Sequence, residues 1–347
     1  MKPHIVPSTL LVACLVASPG VAQGTAATTR LEDAQSLVRA VFAAVQGRRD
    51  ESTERPFSWS HDFFRGQAGT TYVPFTVTID RASVSTSALA MHVVVMPHGD
   101  AAVVSSAPTA TNTGEIQPPR PPEIAFENTY FIALDTARTS DAYRVSRAFS
   151  VSPGRYDVYV AVRARGGTGE PPGAGGAAAT VRLITQAIFV PDLWSGDLST
   201  STLVLAQAVE ALAAPLSAEQ QDANPYTLGT TRIVPAPDTD FAPSEELAVI
   251  FLVYHATLDT EGQPDLTVDY AFFQRRADGD AFFNQTPPQQ FSPQTRPVGS
   301  VADPLVAGQA MSLQAFPPGA YRLAITVTDN SGSAALNRHV DFTVVDR

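Results

Sequence analysis

Two stretches in distant parts of the chain decide the fold: Pro153-Gly154-Arg155-Tyr156-Asp157-Val158-Tyr159-Val160-Ala161-Val162 and Pro318-Gly319-Ala320-Tyr321-Arg322-Leu323-Ala324-Ile325-Thr326-Val327. In each, a Pro-Gly pair turns the chain and every second residue is then apolar. Successive side chains of a strand point to opposite faces, so Tyr156, Val158, Val160 and Val162 share one side. Tyr321, Leu323, Ile325 and Val327 do the same in the second copy. Each run is followed by a loop and one last strand signal. That is how the closing hairpin of an immunoglobulin-like sandwich reads, with the tyrosine hydroxyl bonding back to backbone as a corner. Tyr156 and Tyr321 are therefore expected to be structural tyrosine corners. The copies lie too far apart for a solenoid repeat. They imply two similar domains, joined near Pro191 to Gly196.

Strand signals surround both copies. Tyr72 to Ile79 alternates apolar and polar residues, and Leu89 to Met96 is nearly continuous in apolar ones. Ala125 to Leu134, Tyr143 to Val151 and Thr180 to Val190 follow in the first half. The second half offers Leu228 to Val234, Leu247 to Tyr254, Leu266 to Gln274 and Val340 to Val345. Asp278-Gly279 between two aromatic runs is a hairpin-turn signal. Leu203 to Leu212 is ambiguous between strand and helix, and Pro215 to Pro225 reads as loop. Ala107 to Pro122 and Gly166 to Gly176 are Pro- and Gly-rich loops. One stretch has helical period: Leu31, Ala34, Leu37, Val38, Val41, Phe42 and Val45 form a stripe that docking on the first sandwich would bury.

These signals predict a mainly β chain: two tandem immunoglobulin-like β-sandwiches with a short N-terminal helix. The expected organisation is a signal peptide over 1–22, a linker and amphipathic helix over 23–54, and sandwiches over 55–192 and 193–347.

A chain of 347 residues with 44% hydrophobic residues can bury two cores. A formal net charge of -11 repels phosphate backbones, which disfavours nucleic acid as a partner. Lys2 starts the chain, an apolar run from Leu10 to Ala17 follows, and Gly20-Val21-Ala22 offers a small-x-small cleavage site before Gln23. The expectation is export to the periplasm or the medium, with no transmembrane segment once the leader is cleaved. Leu11-Val12-Ala13-Cys14 also reads as a lipobox, so a lipid-anchored outer-membrane form through Cys14 is the alternative. Cys14 is the single cysteine. Without it the chain has neither disulfide nor thiol nucleophile.

Five runs carry a resemblance: Phe57-Ser58-Trp59-Ser60-His61-Asp62-Phe63-Phe64, Thr71-Tyr72-Val73-Pro74-Phe75, Tyr226-Thr227-Leu228-Gly229-Thr230-Thr231, Pro243-Ser244-Glu245-Glu246-Leu247 and Phe316-Pro317-Pro318-Gly319-Ala320-Tyr321-Arg322-Leu323. Over roughly 55–347 the chain resembles exported tandem β-sandwich proteins common in acidobacteria-like genomes. These are related to the sandwich regions that accompany GWxTD or von Willebrand factor A-like domains. The resemblance implies β-sandwiches outside the cytoplasm. It brings no activity and no catalytic residues to carry over. The Asp-x-Ser-x-Ser metal motif and the Gly-Trp-x-Thr-Asp run are both missing, so those partner functions do not transfer.

No catalytic motif stands out. There is no Gly-x-Ser-x-Gly elbow and no Ser-x-x-Lys. Ser60-His61-Asp62 has triad residue types, but neighbours in a strand cannot converge. His61, His92, His98, His255 and His339 are too scattered for a zinc motif. Asp238-Thr239-Asp240, Asp259-Thr260-Glu261-Gly262 and Asp278-Gly279-Asp280 read as solvated turns rather than calcium loops. Gly166-Gly167-Thr168-Gly169 lacks the Lys-Ser/Thr of a phosphate loop. No cofactor is expected. The hairpin Tyr270-Ala271-Phe272-Phe273 to Phe282-Phe283 carries aromatics on both faces. One face fills the core, and Phe273, Phe283, Arg275 and Arg276 are the candidate binding surface. The expected role is that of a non-catalytic cell-envelope protein acting through protein–protein contacts with an envelope partner. A carbohydrate-binding module and a hydrolase with a carboxylate pair are the alternatives, the latter needing two facing carboxylates in a cleft with perturbed pKa values.

Overall fold

The computed structural model describes residues 20–47, 57–84, 87–99, 123–135, 140–164, 181–292 and 303–346. The chain is mainly β and forms two sandwiches. In the first, β1 (Phe57–His61) and β2 (Phe64–Arg65) pair along different parts of β3 (Thr71–Asp80), whose whole length pairs β6 (Ala142–Val151). The second sheet runs β5-β4-β7-β8, from β5 (Phe126–Ala133) through β4 (Ala88–Pro97) and β7 (Gly154–Ala164) to β8 (Arg182–Val190). Alternation along β3 and β7 puts Val73, Phe75, Val77 and Ile79 opposite Tyr156, Val158, Val160 and Val162 in one core.

The second sandwich repeats this plan. One sheet holds β9 (Ser199–Thr200), β10 (Val204–Ala211), β11 (Thr227–Leu228), β12 (Thr231–Pro235), β14 (Glu246–Tyr254) and β18 (Leu305–Ser312). The other holds β13 (Asp240–Phe241), β15 (Leu266–Arg276), β16 (Gly279–Gln285), β17 (Gln289–Phe291), β19 (Gly319–Asp329) and β20 (Ala335–Val344). The pair β14–β18 takes the place of β3–β6, and β15-β19-β20 that of β4-β7-β8. Leu247, Val249, Phe251, Val268, Tyr270, Leu323, Ile325 and Val327 close its core.

The expected N-terminal helix is α1 (Gly20–Val45), which begins ahead of the apolar stripe and spans the expected cleavage site. Two local details go beyond the sequence reading. The ambiguous segment is strand β10. There, pairing with β12 and β14 outweighs the helical preference of its Ala and Leu. Inside the expected loop at Pro215 to Pro225 lies a helix, α2 (Ala218–Ala223). Ser217 accepts from the Gln220 amide and Gln220 returns a bond to the Ser217 amide, a capping box the composition hid. Cys14 and the loops Ala107 to Pro122 and Gly166 to Gly176 lie outside the described residues.

Helix α1 docks on the outer face of the β5-β4-β7-β8 sheet. Leu37, Val41 and Val45 bury against Ala90, Val94, Met96, Tyr159, Ala161 and Leu183. The apolar stripe is wider than its footprint: Leu31, Val38 and Phe42 stay exposed. One turn ahead of Leu37, Asp33, 5% exposed, faces the Arg163 guanidinium at 3.6 Å.

The two sandwiches touch directly. Phe64, on β2, buries with Val204, Ala206, Ile250, Leu252 and Tyr254 of the second sandwich. The Arg65 guanidinium stacks over the Trp194 and Tyr254 rings and pairs with Asp303 at 2.7 Å. Phe63 and Thr202 exchange bonds: the Phe63 amide donates to Thr202 Oγ1 and the Thr202 amide to the Phe63 carbonyl.

Candidate functional site

Two places could act on something outside the chain: a cleft between the sandwiches, and the open outer face of the β16-β15-β19-β20 sheet.

The cleft encloses about 600 Å³ between β6 on one side and the α2–β12 region on the other. Its polar lining is dominated by Arg144, Arg147 and Arg232. All three are engaged within the chain. Arg144 donates to the carbonyls of Pro235 (3.1 Å) and Ala236 (3.0 Å), tying β6 to the second sandwich. Burial lowers its pKa. Arg147 lies 3.6 Å from Asp222 and covers the Tyr130 ring. Arg232 stands 3.6 Å from Glu210. Arg144 and Arg147 thus tie the two walls of the cleft together, while Arg232 pairs within its own sheet.

Tyr226, at the cleft wall, donates its hydroxyl to Asp62 Oδ2 at 2.7 Å. Burial pushes Asp62 up to about 6, against the opposing effect of the Tyr226 bond. Burial and the neighbouring Asp62 drive the Tyr226 hydroxyl far above its ordinary range. Asp62 is a residue the sequence placed in a discarded triad. The contact joins residues distant in sequence, which no local pattern reveals. The His61 ring instead stacks on Trp59 and meets Phe63 edge to face, each 5.0 Å away. Asp62 thus reaches the cleft wall through Tyr226 and does not itself line the cleft.

The second place is the expected binding hairpin, with one exchange. A bulge shifts the register between β15 and β16, so Phe273 pairs with Phe282 and Phe283 becomes the extra residue. Phe283 consequently turns inward, its ring 4.8 Å from Phe316 and 5.3 Å from Tyr321. Placing Phe283 on the candidate surface is thus corrected: Phe282, 61% exposed, takes its position. Phe273 and Phe282 meet edge to face at 5.9 Å. Beside them Asp341 accepts from Arg275 (2.7 Å) and bidentately from Arg322 (2.7 and 2.9 Å). Asp280 completes the ladder 3.2 Å from Arg322. The Arg322 bonds hold Asp341 below the usual carboxylate range. Arg276 donates to Gln274 at the hairpin end.

The contrast with the first sandwich is informative. There the outward residues Tyr159 and Ala161 of β7 lie under α1. On β19 the same positions hold Ala324 and Thr326, with Arg322 one step earlier, and no described helix covers them.

Both tyrosine hydroxyls close their corners: Tyr156 donates to the Ser152 carbonyl at 2.8 Å and Tyr321 to the Pro317 carbonyl at 2.7 Å. His92 is buried between Thr129 (2.8 Å) and Glu127 (3.5 Å). Burial lowers its pKa against the pull of Glu127. Among the described residues no three His, Cys, Asp or Glu side chains converge as metal ligands. Asp238 and Asp259 instead accept from backbone amides of their own turns.

No family model and no curated protein matches the chain. Among solved structures, red sea bream transglutaminase is similar at 8% identity and a TM-score of 0.21 over 87% of this chain. The chain spans 32% of that protein's length. A likeness this slight carries no inference about activity. No described helix is long and apolar enough to cross a membrane.

Proposed function

We propose that this is a non-catalytic exported protein of the cell envelope that binds a protein partner through the open face of its second sandwich. The observation that carries the reading is the difference between two equivalent sheet faces. One is covered by α1. The other presents the exposed Phe282 against Phe273, bordered by Arg275, Arg322, Asp280 and Asp341. An aromatic centre with a charged rim is the usual make-up of a protein contact. The Arg–Asp ladder lines up its guanidiniums, so binding would lose less side-chain entropy than with free arginines. The leader-like N-terminus and the resemblance to exported sandwich proteins support the compartment.

The test is crosslinked capture from native envelopes with the wild-type chain and with Phe282→Ser. Phe282 is exposed, so its loss leaves the core intact. A partner captured by the wild type and lost with Phe282→Ser supports the reading. A partner retained at full yield refutes this surface. If only glycans are retained, and Phe282→Ser releases them, the carbohydrate-binding alternative replaces it.

A further inference from the structure

The uncovered side of α1 is the next surface to explain. Leu31 (59% exposed), Val38 (41%) and Phe42 (53%) lie with Gln35 along one line of the helix. Their spacing of four, three and four residues is that of a coiled-coil seam. At 3.6 residues per turn this seam stands roughly 120° round from the centre of the buried face made by Asp33, Leu37, Ala40, Val41 and Val45, so the sheet does not use it. A shallow hollow bounded by Ala34, Gln35, Val38 and Arg39 sits at its midpoint.

We propose that this seam pairs antiparallel with the same seam of a second copy of the chain. The charge pattern decides in favour of a copy of itself. When the two helices run antiparallel about the hollow, Leu31 meets Phe42 of the second copy and Gln35 meets its Val38. The outer flank of the seam carries Glu32 and Arg39, both exposed. In that register Glu32 of each copy lies beside Arg39 of the other, so one arrangement satisfies both charges twice. A parallel pairing would instead set Glu32 and Arg39 beside the Ala34 and Val41 flank of the other copy and leave both charges without a partner. The inner flank, Ala34 and the buried Val41, carries no charge to oppose this pairing. Gln35 in an otherwise apolar line fixes the register at some loss of strength. One short seam on each copy lies below the size of a stable interface, so the association is weak and concentration-dependent.

Sedimentation velocity of the purified protein from roughly 1 µM to 1 mM reads it directly. A monomer–dimer equilibrium is expected. Glu32→Arg alone and Arg39→Glu alone each create two like-charge contacts and weaken the dimer by about tenfold or more. The double variant Glu32→Arg/Arg39→Glu restores it. Val38→Asp abolishes it, while circular dichroism stays unchanged because all three side chains are exposed. A chain that remains monomeric throughout the range overturns the proposal. So does a dimer that the single reversals leave intact or that the double variant fails to recover. Flotation with neutral or anionic vesicles, lost in Val38→Asp, would assign the seam to a membrane and overturn self-pairing as well.

Discussion

The hydroxyl of Tyr321 reaches back to the Pro317 carbonyl from a fully buried ring, and Tyr156 repeats the bond to Ser152. Each pins the turn that launches a core strand. Gly154 and Gly319, just ahead of the two tyrosines, share almost the same φ, 157° and 156°. Tyr321→Phe keeps the packing and removes one donor, leaving the Pro317 carbonyl short of a partner. It should lower unfolding free energy by about 1–2 kcal/mol. Equilibrium urea denaturation measures it, and an unchanged midpoint would show that water replaces the bond. The residues of this corner were legible in the sequence because Pro-Gly-x-Tyr and the alternation after it are local. Asp62 was not. It is perturbed by its burial at the sandwich boundary, where it meets Tyr226 of the other sandwich, and no spacing along the chain encodes that.

At the scale of elements, packing decides more than propensity. Among its described side chains, helix α1 makes its apolar contact with the sheet through Leu37, Val41 and Val45. Leu37 is fully buried there. Leu37→Asp places an unpaired carboxylate in that contact and should release α1 from the face made by Ala90, Val94, Met96 and Tyr159. The first core, on the other side of the same sheet, should survive. The expected result is a rise in dye binding to apolar surface with little loss of β signal in circular dichroism. Full unfolding of the first sandwich would mean that the helix is integral to it. The bulge between β15 and β16 makes a related point. Sequence alternation correctly put aromatics on both faces of the hairpin, but a single extra residue exchanged Phe283 for Phe282 on the open one. A bulge of that kind is set by how the strands pair, not by the strand's own pattern.

At the scale of the molecule, the sandwiches are coupled through Phe64, Arg65, Arg144 and the Asp62–Tyr226 bond. This coupling gives stability a pH dependence. The folded Asp62 titrates near 6 and its ordinary value is 3.8, so the folded state holds the proton more tightly. Its contribution is fully present below about 3.8 and is lost as pH rises through about 6. His61 acts in the opposite sense: burial lowers its pKa, so acid favours the unfolded chain through it. Comparing wild type with Asp62→Asn isolates the carboxyl. The Asn side chain can still accept the Tyr226 hydroxyl but cannot ionise. The wild type should lose roughly 2–3 kcal/mol relative to that variant between about pH 4 and pH 7. Thermal or urea unfolding across that range checks it. Parallel curves would mean that water reaches Asp62 and relieves its burial.

The sequence by itself determined the class of fold, the duplicated closing hairpin and the helical stripe. Those follow from periodicity and turn residues, which act over a few positions and persist whatever surrounds them. Tertiary structure alone decided which part of the stripe is buried, which phenylalanine faces out, and that an acid sits against a tyrosine between the sandwiches. Each depends on the registration of surfaces far apart in the chain, where free energy comes from shape and burial and leaves no local mark.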